Sequence, residues 1–464
     1  MNLSSKPTEA RIDVWVPDGG GPGSWAPLIR GRGAGFGGDA VDIAAAGRTE
    51  SAQHVLLGEQ ADRSRAGSRR YLRNRCRSWN VAWRMTTKST DGASVPLLDA
   101  ARTAAKQAAV EAAATERDRR ITGVSAAAAR AAGAFALGVR RSDGGIEADL
   151  STRVRFLAEL GRGCPSTAWV AATNLEAKRV LQIGTSDEAY ADAFRDVDSV
   201  VCSSARPGTA VREPGGLRIC GRWSYASGCE LAEWAILSVQ LPGEGDRPPQ
   251  PAAVFARTRD LTIDRDWHMA GLCGTGSHTL VGDDVWIPDS HRLDLPRIAA
   301  ALSNIAIAVG LFAPLWGSAR GALDIVVDVL AKRTSPNPAH PTLADSPGAR
   351  RNLAVAAHKI DTAERRMLGI AAAVDATQPG EVLAAEERAR LRMDLIAAVR
   401  ECRSALEDLL DLHGSTGLES SNPLQRYWRD FAVGSRHVQF TSHVVEEDYG
   451  VLLLGINEAP SAML

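Results

Sequence analysis

Apolar and polar positions follow different rules in successive parts of the 464-residue chain. Residues 1–90 show neither helical nor alternating spacing, and nine glycines stand between Gly19 and Gly38. Such a stretch buries too little apolar surface to offset ordering, so it is expected to be disordered. A repeating pattern begins near Pro96. The run LLDAARTAAKQAAVEAAATER contains strong helix formers and no internal Gly or Pro, and residues 97–200 are expected to be helical. Gly133 and Asp143-Gly144-Gly145 punctuate that region. Asp149 or Ser151 is expected to cap a helix through Leu160, and Pro165 or Ser166 to start another through about Leu181. On the latter, Trp169, Thr173 and Ala177 stand at i, i+4 and i+8 and are expected on one face.

The pattern changes over residues 200–292. LRICGRWSY, WAILSVQL, AAVFART and HTLVGDDVWIP are short, β-branched or aromatic, and separated by Gly, Pro and Asp. They predict an all-β unit. Helical spacing returns over 296–455, with candidates Ile298–Lys332, Arg350–Asp375, Glu381–Leu412 and Pro423–Tyr449. Pro336, Pro338, Pro341, Pro347, Pro379 and Pro423 mark the joints. Long helices of this kind favour an antiparallel bundle. The predicted plan is an α+β multidomain chain: an extension over 1–90, a helical domain over 96–199, a β domain over 200–292 and a four-helix bundle over 296–455.

Composition narrows the function class. Hydrophobic residues make up 45% and charged residues 23%, ordinary for a globular protein. No run of 18 apolar residues predicts a membrane span, and the N-terminus lacks an apolar signal core. Seven scattered cysteines without a CxxC suggest neither a disulfide framework nor a zinc site, so a reducing cytoplasm is the expected location. The net charge of −1 hides an asymmetry: residues 1–95 carry 14 Lys/Arg against 9 Asp/Glu. Nine basic residues and no acidic one lie between Arg63 and Lys88. This run reads as a nucleic-acid arm or as an unstructured extension. The second is preferred, because no binding motif surrounds Trp79 and Trp83. Met85 opens a stretch that looks like an ordinary protein start. Residues 1–84 therefore read either as a dispensable leader or as an overlong start.

Common catalytic signatures are absent: no GxGxxG after a strand, no GxxxxGK[ST], no GxSxG and no HExxH. Gly274-Thr275-Gly276-Ser277 is the nearest approach to a phosphate loop but lacks a following helix. His268 and His278 fall in the β unit. His413 stands at a helix C-terminus, where a cation suits the dipole. His437 and His443 are expected on the last helix, pointing different ways and forming no metal pair. By spacing alone His437 reads as an ordinary packed or surface residue, and Arg429-Asp430 as a surface ion pair. Trp169, Trp223, Trp234, Trp267, Trp286 and Trp428 read mostly as core.

The segment GRWSYASG (221–228), followed by WAIL, resembles the strand motif of two-component flavin-dependent monooxygenases with the acyl-CoA dehydrogenase fold. The oxygenase components of 4-hydroxyphenylacetate and steroid-ring phenol hydroxylases are of this kind. ELGRGCPSTAWV (159–170), CSSARPGTA (202–210), GLCGTGSHTLVGDDVWIP (271–288) and SNPLQRYWRDFAVGSRH (421–437) are similar to further family segments in the same order. The resemblance covers about residues 96–455. It implies a separate NAD(P)H:flavin reductase that supplies diffusible FMNH2 or FADH2, and O2 as co-substrate. The reaction it implies forms a C4a-hydroperoxyflavin that passes one oxygen atom to a small molecule. The physical demands are a dry site, a donor near flavin N5 and an acid–base group.

By motif position the resemblance makes Ser227 the serine near N5 and Ser203 a serine at the flavin–substrate junction. Trp169 lines the cavity, Gly228 lets the ring approach the backbone, and His437 is the essential histidine. Arg333 reaches a neighbouring subunit's flavin, within a homotetramer. No metal, membrane or nucleic acid is implied. One departure stands out: phenol hydroxylases of the group often carry a histidine eight residues after the tryptophan, and here that position is Ala177, beside Glu176. A simple phenol handled by that histidine is thereby put in doubt. A polyketide-like aromatic remains open, as does an amine that is N-oxygenated. Acyl-CoA dehydrogenases of the same fold are the rival class. Many place a catalytic carboxylate nine residues after the arginine of the Arg-Asp pair; here that position is Val438.

Overall fold

The structure is a computed structural model. It describes residues 15–17 and 25–27 and, from residue 94 onward, all but 187, 191–195, 244–247, 302, 379–380, 457–460 and 462–464. The chain divides into Met1–Lys88 and Ser89–Leu464. In the first unit β1 (Trp15–Pro17) pairs antiparallel with β2 (Trp25–Pro27), a ladder that the absence of periodicity did not predict. The rest of the disorder expected over residues 1–90 lies outside the described residues.

The second unit begins with α1 (Ser94–Arg117), α2 (Gly123–Ala131), α3 (Leu150–Gly163) and α4 (Pro165–Gly184). Local chemistry sets their starts. The Asp149 carboxylate accepts the Thr152 N–H at 2.7 Å, satisfying a donor that the first turn leaves open. Pro165 stands at the first helical position, where its missing N–H costs nothing.

Strands β3 (Val201–Glu213), β4 (Gly216–Trp223), β5 (Trp234–Leu241), β6 (Gln250–Arg257), β7 (Thr262–Asp264) and β8 (Thr279–Pro288) follow. They form one sheet in the order β6-β5-β3-β4-β8-β7. Only β3 and β5 run parallel. Trp223 is fully buried and donates from Nε1 to the Ser238 carbonyl at 2.8 Å. Its ring packs against two glycines. A Cβ on Gly208 or Gly221 would stand 2.5 or 2.8 Å from the indole Cζ2. The register shifts at both points, between Ser204 and Gly208 and between Ile219 and Gly221, so the sheet bends around this side chain.

The remaining helices are α5 (Leu295–Ala301), α6 (Asn304–Leu330), α7 (Pro347–Asp375), α8 (Ala385–His413), α9 (Pro423–Gly434) and α10 (Ser442–Leu453). Helix α6 is long and apolar enough to cross a membrane, but 89% of its most apolar window is buried inside the chain, the mark of a bundle core. The last bundle helix was expected unbroken over Pro423–Tyr449; instead the chain leaves α-helical geometry after Gly434, makes a single 3-10 turn over Val438–Phe440 capped by His437, and resumes the α-helix at Ser442. Two arginines of α8 explain the break. Arg403 donates to the Ser435 carbonyl and hydroxyl at 3.3 and 2.9 Å. Arg392 donates to the Gln439 carbonyl and side chain at 3.1 and 2.8 Å. Polar groups that a continuous helix would use internally are held by the neighbouring helix instead. His437 sits in this break.

Candidate active site

The segment after β4 is a tight turn, not the strand continuation expected for Ser227. Tyr225 takes φ +64° and Gly228 φ +74°. The turn is laced to the segment ahead of β8: the Ala226 N–H donates to the His278 carbonyl at 3.1 Å and the Gly228 N–H to the Thr275 carbonyl at 2.7 Å. Side chains continue the lacing. Ser227 Oγ lies 2.7 Å from Ser277 Oγ, and Ser277 Oγ 2.7 Å from Thr275 Oγ1. The Thr275 hydroxyl donates to the Leu272 carbonyl at 2.7 Å. All three hydroxyl residues are buried, Ser227 with 9% exposure. Gly228 is buried, and a Cβ there would meet Val170 Cγ1 at 2.7 Å, so its missing side chain makes room for α4.

This hydroxyl chain is anchored from α9. The Asp430 carboxylate, 3% exposed, accepts the Leu272 N–H at 2.5 Å. Leu272 is held at φ +49°, an uncommon conformation for a leucine. Arg429 does not pair with Asp430 as expected. It and Arg426 both bind the Glu116 carboxylate of α1, Arg426 Nε at 2.6 Å, and Arg429 also donates to the Ala270 carbonyl. Burial pushes the Asp430 carboxyl up to about 7, against the Leu272 N–H and the Arg429 charge that favour its ionised form. Sequence reasoning gives Glu116, Thr275, Ser277 and Asp430 no role in the site. The GTGS run reads as a poor phosphate loop and as part of a family-like segment, and the arginine–aspartate pair as a surface contact.

Helix α4 brings the next two groups together. Val170 packs on Gly228, and the neighbouring Trp169 ring meets the His437 imidazole edge-on, centroids 5.7 Å apart. Phe440 flanks the imidazole at 6.3 Å and itself meets Phe312 of α6 at 6.4 Å. Burial among these rings lowers the His437 pKa to about 4, so the imidazole is neutral near pH 7. Its Nδ1 accepts the Gln439 N–H at 3.3 Å, which assigns the ring proton to Nε2.

Other candidates lie elsewhere. Strand alternation puts Ser203 and Ser204 on opposite faces. Ser204, buried, donates to the Ser224 carbonyl at 2.7 Å, so the face of β3 that meets the Ser227 turn is that of Ser204, not Ser203. Ser203 is half-buried and paired with Ile236 of β5. Ala177 does not share the face of Trp169. Eight residues advance a helix by about 80° beyond whole turns, and Ala177 packs in a separate cluster with Trp234 and Phe255. Arg333 follows α6, whose rise separates Leu330 from Phe312 by about 27 Å, so it is remote from His437 within its own chain. Its Nη1 is buried without a hydrogen-bond partner, beside Gly414. His413 is buried, and burial together with Arg333 lowers its pKa, so it is not the helix-end cation expected. Val438, where a dehydrogenase would hold its base, is 59% exposed.

The site thus offers an indole, a neutral imidazole and a row of neutral hydroxyls. Among the described residues no group of three His, Cys, Asp or Glu could hold a metal. Low charge, aromatic walls and a few hydrogen-bonding edges fit a flat heteroaromatic ring such as a flavin.

Comparison with known proteins agrees. Residues 309–442 match the family described as acyl-CoA dehydrogenase, C-terminal domain. Over 371 residues the chain is 31% identical to the FADH(2)-dependent resorcinol hydroxylase, oxygenase component, of Rhizobium sp. (strain MTP-10005), covering 74% of this chain and 90% of that protein. It is 32% identical over 346 residues to the flavin-dependent monooxygenase oxygenase subunit HsaA of Rhodococcus jostii (strain RHA1), covering 70% of this chain and 89% of the other. Among solved structures, XiaF from Streptomyces sp., in complex with FADH2 and glycerol, superposes with a TM-score of 0.75 at 30% identity, over 80% of this chain and 98% of that one. The 3-HSA hydroxylase from Rhodococcus sp. RHA1 superposes at 0.73 and 28% identity, over 79% and 99%. The chain belongs to the oxygenase components of two-component flavin-dependent monooxygenases, built on the acyl-CoA dehydrogenase fold and working with reduced flavin from a separate reductase.

Proposed function

We propose that the chain hydroxylates an electron-rich aromatic ring of the polyhydroxylated, polyketide-like or indole type. Its site is formed by the Ser227 turn, Trp169 and His437. The observation that carries this reading is the edge-on contact of Trp169 with a neutral His437, on the helix that also packs against the Ser227 turn. Reduced flavin, when bound, supplies the electrons that activate O2 and the chemistry that transfers one of its oxygen atoms.

The chain's own residues do the rest. Ser227 contacts the ring edge at N5, and Trp169 walls the cavity and keeps water out. The neutral His437 would donate a hydrogen bond from Nε2–H to the oxygen atom that departs as water, keeping that proton itself. An imidazole with a pKa near 4 is a poor acceptor for a phenolic proton. The substrate ring must therefore be electron-rich as it arrives. Resorcinol and indole-3-acetate, named for two relatives, are rings of that kind. Turnover with an added NAD(P)H:flavin reductase under 18O2, offering resorcinol-type and indole-type rings beside a monophenol, tests this. One labelled oxygen is expected in product from the first two. Product from the monophenol alone would contradict the substrate class.

The reading extends to assembly. Arg333, remote from its own chain's His437, would on the family's pattern serve a neighbour's flavin site in a homotetramer. Light scattering at micromolar concentration should give four times the chain mass, and a monomer would contradict it. The six described cysteines are all thiols, in keeping with a reducing cytoplasm.

A further inference from the structure

The buried hydroxyl chain has a direction. A hydroxyl carries one proton and two acceptor lone pairs. The Thr275 proton is committed to the Leu272 carbonyl, which can only accept. The 2.7 Å contact between Thr275 and Ser277 must therefore use the Ser277 proton. With that proton spent, the 2.7 Å contact between Ser277 and Ser227 must use the proton of Ser227. Ser227 Oγ is left with lone pairs alone for anything outside the chain. The Asp430 carboxylate holds Leu272 in place from the far end, and Trp267 Nε1 donates to the same Leu272 carbonyl at 2.9 Å. The order is thus pinned at a rigid point and reads outward to Ser227. A serine at this place was expected to donate; the geometry makes it an acceptor.

We infer that Thr275 and Ser277 are positioning residues that fix Ser227 as a hydrogen-bond acceptor and so make the site selective for the redox state of the flavin. The inference rests on the reading that Ser227 faces N5. Reduced flavin carries a hydrogen at N5 and can donate it to Ser227. Oxidised flavin presents a lone pair there, and two acceptors facing each other repel. An oxygenase that takes its flavin from solution gains by this: it captures the reduced form and lets go of the oxidised one. No bond is made or broken and no charge is needed, only the order of three protons.

The test is equilibrium binding, without turnover. Dissociation constants for reduced flavin (measured anaerobically) and for oxidised flavin are compared in the wild-type protein, Ser277→Ala, Thr275→Val and Thr275→Ser. Removing Ser277 or the Thr275 hydroxyl frees a proton for Ser227 to donate. Oxidised flavin should then bind about tenfold tighter, the effect of one hydrogen bond, while reduced flavin changes little. Thr275→Ser keeps the hydroxyl and should keep the wild-type ratio. A merely structural role would weaken both redox states alike and leave their ratio unchanged, and that result in both variants would overturn the inference. Ser227→Ala separates this failure from failure of the underlying reading. If it lowers affinity for reduced flavin while the other variants leave the ratio unchanged, only the positioning role falls. If it leaves both affinities unchanged, Ser227 does not face N5 and the inference falls with that reading.

Discussion

Replacing His437 with alanine is expected to lower product formation by about 10²–10³-fold, the range for a hydrogen-bond donor positioned at developing charge, with fold and flavin binding retained. The imidazole lies in the break between α9 and α10, and the Gln439 and Ser435 carbonyls there are held by Arg392 and Arg403 rather than by the ring. Its loss removes one hydrogen bond, that from the Gln439 N–H. Product and H2O2 measured together decide the matter: oxygen consumption should persist while its yield shifts to peroxide. Unchanged coupled product formation would remove His437 from the mechanism. The depressed pKa adds a second, independent signature. In the folded chain the ring protonates only near pH 4, whereas the unfolded value is 6.5. Between these values the unfolded state binds more protons, so the wild type should gain stability relative to His437→Gln as pH rises from 4 to 6.5, with no further gain above. Melting temperatures across that window check the sign.

The order helix, sheet, helix was legible because the period of apolar residues changes sharply near residue 200 and again after Pro288. What was not legible depends on residues far away in sequence. The break at His437 is created by two arginines of α8, and nothing within SNPLQRYWRDFAVGSRH announces it. Asp430 looked like half of an exposed ion pair, yet its partner is the backbone of Leu272, 158 residues earlier. Ser203 and Ser204 show how fine the limit is. A motif match reaches both serines, but a one-residue step moves a side chain to the other face of a strand. Gly228 marks a further limit: a glycine signals close approach without saying of what, and here the partner is Val170. The Trp169–His437 contact was recoverable only through resemblance, since spacing alone left both as packing residues.

Ser227→Ala should make the enzyme leak peroxide. The Ser227 hydroxyl accepts from N5–H in the proposed geometry, and this contact holds back the proton whose departure accompanies H2O2 release. Losing it is expected to cost about 1–1.5 kcal/mol. Each 1.36 kcal/mol is tenfold in rate, so release without product should quicken roughly tenfold. Ser227 is buried and bonded to Ser277, and its loss leaves that neighbour its own bond to Thr275, so flavin affinity and not stability should bear the secondary effect.

The same measurement tests the whole account when run with the wild type beside the variant. Protein loaded anaerobically with reduced flavin is mixed rapidly with O2 in the absence of substrate, and oxidised-flavin absorbance and H2O2 are followed. The account predicts that in the wild type both appear together after a lag, more slowly than free reduced flavin reoxidises, and that Ser227→Ala shortens the delay about tenfold. Reoxidation of the wild-type protein in a single phase at the rate of free flavin would contradict it, because a site that neither excludes water nor holds N5 could not direct oxygen into a substrate.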